Sequence, residues 1–537
     1  MEKKTKSFIK GAAILGFAGI IVKVVGALYR IPLANIVGDG MTFYDHAYPW
    51  YSWLLVISSA GLPTAISKIV AERVTLGDYK GAKEVFNYAL RILLIIGVVT
   101  MLMMFAGANL FAKISYTDAE RVQKLSLSFR ALAPALLFVS LMCAYRGYLQ
   151  GMQMMTGTAV SQVIEQVGKL IVGFTLAKAW LPKGVEYGAM GALLGVSASE
   201  LMALIAIWIF YSTNKKKFAA QISVRSNFRP MGFKYVLSSL MRIAVPVTIG
   251  ASIMPITSMI DSAMITRILE STGFTKSQSD GAFIVLRSYI TPIINMPAVL
   301  TSALAMSLVP AISSRMTMRD AKGVIAASRM GMKLALIIGA PCAVGLFVLG
   351  RQIIAMLYSG LSEAQLNLAQ DLMRTSSIGV LFLSLVQTMT GVIQGMGRPR
   401  VPVLNLIFGG ILKVASMLIL MNVKSVNIQG AAVSTVVCYA AAGILDTIYV
   451  LRKTGMRVNL WDVFIKPVFS SIIMGFIAAL CYKLLSGYGH TVIATLASVA
   501  AGGAVYLLLA VVLKMFSPAD LEFMPGGAKI RKLLYRR

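Results

Sequence analysis

The sequence predicts an all-α polytopic membrane protein of about fourteen transmembrane helices, built as two six-helix lobes plus two extra C-terminal helices. Three observations predict it. Of 537 residues, 57% are hydrophobic and 13% charged, and the mean hydropathy of +0.77 implies more apolar surface than one soluble core buries. Apolar stretches of span length recur along the whole chain, and in hydrocarbon each must pair its own backbone N–H and C=O groups, which selects helices. The short alternating segments of a membrane β-barrel are absent. Finally, segments of the first half recur in the second, in the same order.

In chain order, spans are expected at 8–37, 46–70, 85–111, 128–150, 157–180 and 187–212, then at 235–268, 282–313, 327–350, 372–394, 401–421 and 428–451, and last near 467–485 and 491–516. The Lys-rich start precedes a span too long for a signal peptide, so that span is expected to be retained. Basic clusters fall in alternate loops, at Lys3/Lys4/Lys6, Arg73/Lys80/Lys83, Lys215/Lys216/Lys217, Arg315/Arg319/Lys322, Arg398/Arg400, Arg452/Lys453/Arg457 and the tail. The positive-inside rule places these loops and both termini in the cytoplasm. The intervening loops, such as 38–46 with Asp39 and Asp45, are poor in Lys and Arg or mixed in sign like 113–130. The expected organisation is an N-lobe at 1–213, a basic cytoplasmic linker at 214–234, a C-lobe at 235–452, a helix pair at 453–516 and a basic tail at 517–537.

The repeat is carried by three matches. Leu-Gln-Gly-Met at 149–152 answers Ile-Gln-Gly-Met at 393–396, with Lys169 and Lys413 following at the same offset. Asp78-Tyr79-Lys80-Gly81 answers Asp320-Ala321-Lys322-Gly323, and Ala65-Ile66-Ser67 answers Ala311-Ile312-Ser313, at nearly that offset. Because six is even, both halves start on one side, which predicts a pseudo-twofold axis along the membrane normal and suits alternating access. The last two spans have no counterpart.

An ionisable side chain at membrane depth costs roughly 2.5–3.5 kcal/mol, so each needs a partner, a water-filled cavity or a route to the interface. Gly16, Gly19, Lys23, Gly26 and Arg30 share one face of the first span, which predicts a cavity-facing cationic stripe. Glu165 and Lys169 stand four apart with the acid first, the spacing of a local ion pair; Gly409 replaces the acid opposite Lys413, so Lys413 needs another partner, for which a substrate anion is one candidate. Lys68, Arg146 and Arg242 lie near enough to the inner interface to snorkel, and Arg287 sits amid Tyr289, Pro292, Asn295 and Pro297. Glu200 and Asp261 are candidates for cation or proton coupling, whereas Asp446 reads as interfacial.

Other classes are disfavoured. The net charge of +30 is spread over short loops, as a membrane protein requires, rather than forming a nucleic-acid patch. Cys143, Cys342, Cys438 and Cys481 fall in apolar spans without paired spacing and read as packing residues. His46 and His490 read as isolated loop residues, and no HExxH, G-x-S-x-G or Walker A sequence occurs, so no enzyme activity, metal or cofactor is expected. Transport driven by a monovalent-cation gradient or the membrane potential fits this composition.

The runs GALYRIP at 26–32, GDGM at 38–41 and GLPTAISKIVAE at 61–72, with the Gln-Gly-Met segments, resemble the polysaccharide-transport branch of the multidrug/oligosaccharidyl-lipid/polysaccharide flippase superfamily, in particular the stage V sporulation protein B and MurJ-type lipid II flippase group. The span layout extends the resemblance over the whole chain. It implies a flippase in a bacterial cytoplasmic membrane that moves an undecaprenyl-pyrophosphate-linked sugar, lipid II or a related glycan, from the inner to the outer leaflet. It also implies a basic central cavity, where Lys23 matches one position, Arg30 stands one residue from another and Arg287 is the counterpart on span eight; Lys68 and Lys413 complete the candidate set. The basic residue expected in span two is missing from YPWYSW at 48–53. The resemblance further implies that the last two spans form a groove for the polyprenyl tail, for which Gly475, Gly502 and Gly503 leave room. The expected partners are the lipid-linked oligosaccharide and, at the basic loops, anionic phospholipids, with the chain acting as a monomer. A drug or cation antiporter of the same superfamily should instead show an acidic cavity and usually twelve spans, and a membrane glycosyl polymerase or ligase should have large outer loops.

Overall fold

Helix is the regular structure that satisfies a backbone without water, and among the described residues it is the one found. The computed structural model describes residues 22, 25, 26, 29–215, 232–487 and 491–516. In the first half α1 spans Met41–Ser59 and α2 Leu62–Thr75, followed by α3 (Tyr79–Ala106), the short α4 (Ala108–Ser115), α5 (Ala119–Gly151), α6 (Met155–Trp180) and α7 (Val185–Thr213). The second half continues with α8 (Phe233–Ser271), α9 (Lys276–Ile284), a π-helical turn at Val285–Ile290, α10 (Thr291–Thr317), α11 (Ala321–Leu357), α12 (Glu363–Gly395), α13 (Arg400–Met421) and α14 (Gln429–Thr454). A second π turn at Trp461–Ile465 leads into α15 (Lys466–Ser486) and α16 (Thr491–Val512).

Twelve helical stretches among the described residues are long and apolar enough to cross a membrane. The 26-residue α6 has the length but carries Glu165, Lys169 and Lys178. Every expected span from 46–70 onward has its helix; the first, 8–37, lies mostly outside the described residues. The stretch 38–46 is not a loop. Gly38–Gly40 makes one turn and α1 begins at Met41, burying Asp45 and His46. Part of the cost of burying His46 is offset by Ser262 on α8, whose Oγ lies 3.1 Å from His46 Nδ1 and donates to the His46 carbonyl at 2.9 Å. The mixed-sign stretch 113–130 is likewise mostly helix, with Asp118 capping α5 through the Arg121 N–H.

The chain divides into two units, Met1–Arg267 and Ile268–Arg537. Within the first, α2, α3, α5, α7 and the start of α8 enclose a core that includes Ile66, Phe86, Met142, Ile207 and Leu240. In the second, α10, α11, α12 and α14 enclose another around Ile312, Leu336, Val392 and Val450.

The duplication reaches individual contacts. Asp78 and Asp320 each accept the N–H three residues on, from Gly81 at 2.8 Å and Gly323 at 2.9 Å, and so start α3 and α11 alike. Gly97 on α3 meets Ser140 on α5 so closely that a Cβ would stand 2.9 Å from the serine Cβ, and Gly339 on α11 meets Ser384 on α12 at the same 2.9 Å. Both Gln-Gly-Met segments end their helix in a left-handed turn, closed by Met154 N–H on the Leu149 carbonyl at 2.8 Å and by Arg398 N–H on that of Ile393 at 3.2 Å. The left-handed residue is Gln153 (φ 61) in one half and Gly397 (φ 77) in the other; at the end of α2 and α10 the choice is reversed, Gly77 (φ 79) against Arg319 (φ 55).

Candidate functional site

Four of the residues expected in the first unit, Arg30, Glu165, Lys169 and Glu200, gather with Arg146 and Asp45 in one largely buried polar cluster. Arg30 forms an ion pair with the buried Asp45 and lies 5.3 Å over the Tyr44 ring. Glu165 on α6 turns to α5 rather than to Lys169: its Oε2 accepts from Arg146 Nη2 at 3.0 Å, and Arg146 Nε donates to Ser161 Oγ at 3.1 Å. The planar guanidinium fork reaches a carboxylate and a hydroxyl at once, which the single lysine ammonium cannot match. Lys169, only 9% exposed, sits within electrostatic reach of Tyr48, Glu165, Glu200 and Tyr44. Glu200 on α7 is 3% exposed, and its Oε2 accepts no hydrogen bond among the described residues. Three cations, Arg30, Arg146 and Lys169, thus face three acids, Asp45, Glu165 and Glu200. Of the expected cationic stripe, Arg30 is answered by an acid, as low-dielectric surroundings demand. Lys23 lies outside the described residues, Lys68 is exposed on α2, and Asp261 is buried on α8 next to the Ser262 that holds His46.

In the second unit Arg287 stands on the π turn. Two neighbours explain that turn: Thr291 Oγ1 donates to the Leu286 carbonyl at 2.7 Å, and Pro292, having no N–H, leaves the Ser288 carbonyl to accept from Tyr358 OH at 3.2 Å. The extra residue of such a turn rotates Arg287 relative to the rest of the helix. Lys413 is 3% exposed on α13, and Lys333, which the sequence reading passes over, is buried on α11. Asp446, expected near the cytoplasmic end of its span, has protein partners there. It is buried, accepting from Asn405 Nδ2 at 2.7 Å and Thr390 Oγ1 at 3.3 Å. Thr390 and Asn405 stand where the repeat places Arg146 and Ser161 in the first half, so each half sets a carboxylate at the same helix junction, drawn from different helices.

An apolar cavity of about 400 Å³ is walled by α10, α11, α15 and α16. Gly502 and Gly503 line it, with Pro297, Cys342 and Met474; Gly475 instead packs on α11, where a Cβ would stand 2.6 Å from Val344 Cγ1. Pro341 opens that wall by withholding an N–H from the Ile337 carbonyl, and Tyr506 OH of α16 donates to it at 2.8 Å. The C-terminal pair is thereby keyed to α11.

Comparison with known proteins bears on this arrangement. Residues 8–316 match the polysaccharide biosynthesis protein family, and residues 287–419 match the MatE family. The chain is 25% identical over 529 residues to stage V sporulation protein B of Bacillus subtilis (strain 168), covering 98% of each, and 24% identical to the lipid II flippase MurJ of the same organism, covering 94% and 95%. Among solved structures, a lipid II flippase MurJ in an inward closed conformation matches with a TM-score of 0.66 at 15% identity, covering 93% of this chain and 98% of that one. An inward-facing multidrug resistance MATE transporter matches with the same TM-score of 0.66 at 16% identity but covers 81% of this chain. With its family model spanning more than half its length, the chain belongs to the polysaccharide biosynthesis protein family, and it shares the fold of MurJ and the MATE transporters and whole-length similarity with MurJ and stage V sporulation protein B.

Proposed function

We propose that this protein flips an undecaprenyl-pyrophosphate-linked sugar, a lipid II-like precursor or a related surface glycan, from the inner to the outer leaflet of a bacterial cytoplasmic membrane by alternating access. The observation that carries the proposal is that one helical stretch, α9 to α10, bears Arg287 on its π turn and also walls the apolar cavity. A cation and an apolar recess that could take part of a hydrocarbon tail, on one element, suit a ligand that joins an anionic head to a long hydrocarbon chain. The relatives' names agree with this class of substrate, and the MATE neighbour, which covers less of this chain, offers no counterweight. Coupling to a cation gradient or the membrane potential would fall to the first unit, where Glu200 keeps an unsatisfied carboxylate oxygen beside Lys169.

Expression in cells depleted of their own lipid II flippase tests the proposal. Wild type should restore growth, and Arg287→Ala and Lys23→Ala should each reduce rescue. Failure of well-expressed wild type to rescue would remove lipid II as substrate, and full rescue by both variants would remove the cations from substrate binding.

A further inference from the structure

A cavity of about 480 Å³ lies in the second unit where α10, α12 and α14 end and α11 begins. Four cations line it, Arg315, Arg319, Arg398 and Lys453, against one acid, Asp320. That acid is already engaged in capping α11 through the Gly323 N–H. Arg315 is engaged too, donating through Nη1 to the Gly323 carbonyl at 2.6 Å. Arg319, Arg398 and Lys453 are exposed and form no ion pair among the described residues.

Cations at helix C-termini complement the helix dipole, and that is the plain explanation to exclude. The internal repeat excludes it for two of them. Arg315 has a counterpart in Arg73, which serves its turn by pairing with Asp78 at 3.3 Å. The counterparts of Arg319 and Arg398 are Gly77 and Met154, and the helix ends of the first half close through the same hydrogen bonds without them. The second half therefore carries these cations for something other than folding the turn. It places Arg319 at φ 55, in a conformation that the first half meets with glycine.

The remaining wall is apolar, with Met316, Val324, Ile325 and Met396. A small soluble phosphate would leave that surface unused, whereas a phospholipid would set its phosphodiester among the cations and its glycerol and upper acyl carbons against it. By the positive-inside rule this is the cytoplasmic face. Arg315 also lies 28 residues beyond Arg287 on the same helical stretch, roughly 40 Å away at 1.5 Å per residue, so the site is distinct from the candidate transport residues. We propose that this cavity binds the headgroup of an anionic phospholipid of the inner leaflet, independently of the transported lipid.

The test is a thermal-stability titration of the purified full-length protein in neutral detergent with phosphatidylglycerol, phosphatidylcholine or glycerol phosphate as probe. Phosphatidylglycerol should stabilise wild type saturably and phosphatidylcholine should not. The Arg398→Ala/Lys453→Ala protein, altered at exposed positions only, should bind phosphatidylglycerol about tenfold more weakly. The Lys80→Ala/Lys322→Ala protein, equal in charge lost, should bind it as wild type does. Equal weakening in both double variants would show a diffuse charge effect and overturn the site. Undiminished binding by Arg398→Ala/Lys453→Ala would overturn it as well, and full displacement of the lipid by glycerol phosphate would overturn its assignment to a lipid.

Discussion

Arg146 and Glu165 show what a residue meets at membrane depth. Their carboxylate–guanidinium pair at 3.0 Å is largely withdrawn from solvent, so removing one partner strands a charge in a low-dielectric interior. Arg146→Ala should destabilise the protein by about 3–5 kcal/mol, read as a fall in the unfolding midpoint in detergent. The repeat supplies a compensating design, because the second half carries Thr390 and Gly409 at these places. Arg146→Thr/Glu165→Gly should therefore recover most of the loss, and a double variant no more stable than Arg146→Ala would refute the stranded-charge explanation. Gln153 tests the opposite sign: its left-handed backbone costs a non-glycine residue about 1 kcal/mol, so Gln153→Gly should raise the midpoint by a corresponding amount. The sequence made the charged residues visible but not their partners. Spacing along a helix points Glu165 at Lys169, four residues on, while the partner it takes is nineteen residues away on another helix. His46 and Asp45 were obscured for the same reason, since polar residues near a helix start look like a loop until the hydroxyl of Ser262 and the guanidinium of Arg30 are seen to engage them.

At the scale of the element, proline and tyrosine act as pairs. A proline inside a membrane helix withholds one N–H, and the carbonyl it abandons needs another donor in a place without water. Tyr506 answers the Ile337 carbonyl behind Pro341, and Tyr358 answers that of Ser288 behind Pro292. Tyr506→Phe keeps the ring and removes the donor, and should cost about 1–3 kcal/mol while loosening α16 from α11. Hydrogen exchange of α16 amides should rise in that variant, and unchanged exchange would mean that apolar packing alone holds the pair. The prolines and helix spans are plain in the sequence because periodicity and missing donors are local properties. The π turn under Arg287 is not, because an inserted residue becomes visible only against the hydrogen bonds of its neighbours.

For the whole molecule, the duplication was legible from short motifs, and the structure gives those motifs mechanical meaning: the same caps, left-handed turns and glycine-against-serine contacts recur in both halves. Divergence within this shared frame marks specialisation. The first unit balances its buried cations with acids, whereas the second combines Arg287 and the buried Lys413 with an apolar recess. Lys333 escaped the sequence reading because it sits in an otherwise ordinary amphipathic pattern, and only its burial sets it apart. The central claim is movement of a pyrophosphate-linked lipid, and reconstitution measures it directly. In sealed vesicles containing the purified protein and an undecaprenyl-pyrophosphate-linked sugar confined to one leaflet, a membrane-impermeant glycosidase should reach the sugar on the opposite side progressively, more slowly with Arg287→Ala. Exposure no faster than in protein-free vesicles, or equal for a polyprenyl sugar lacking the pyrophosphate, would contradict it.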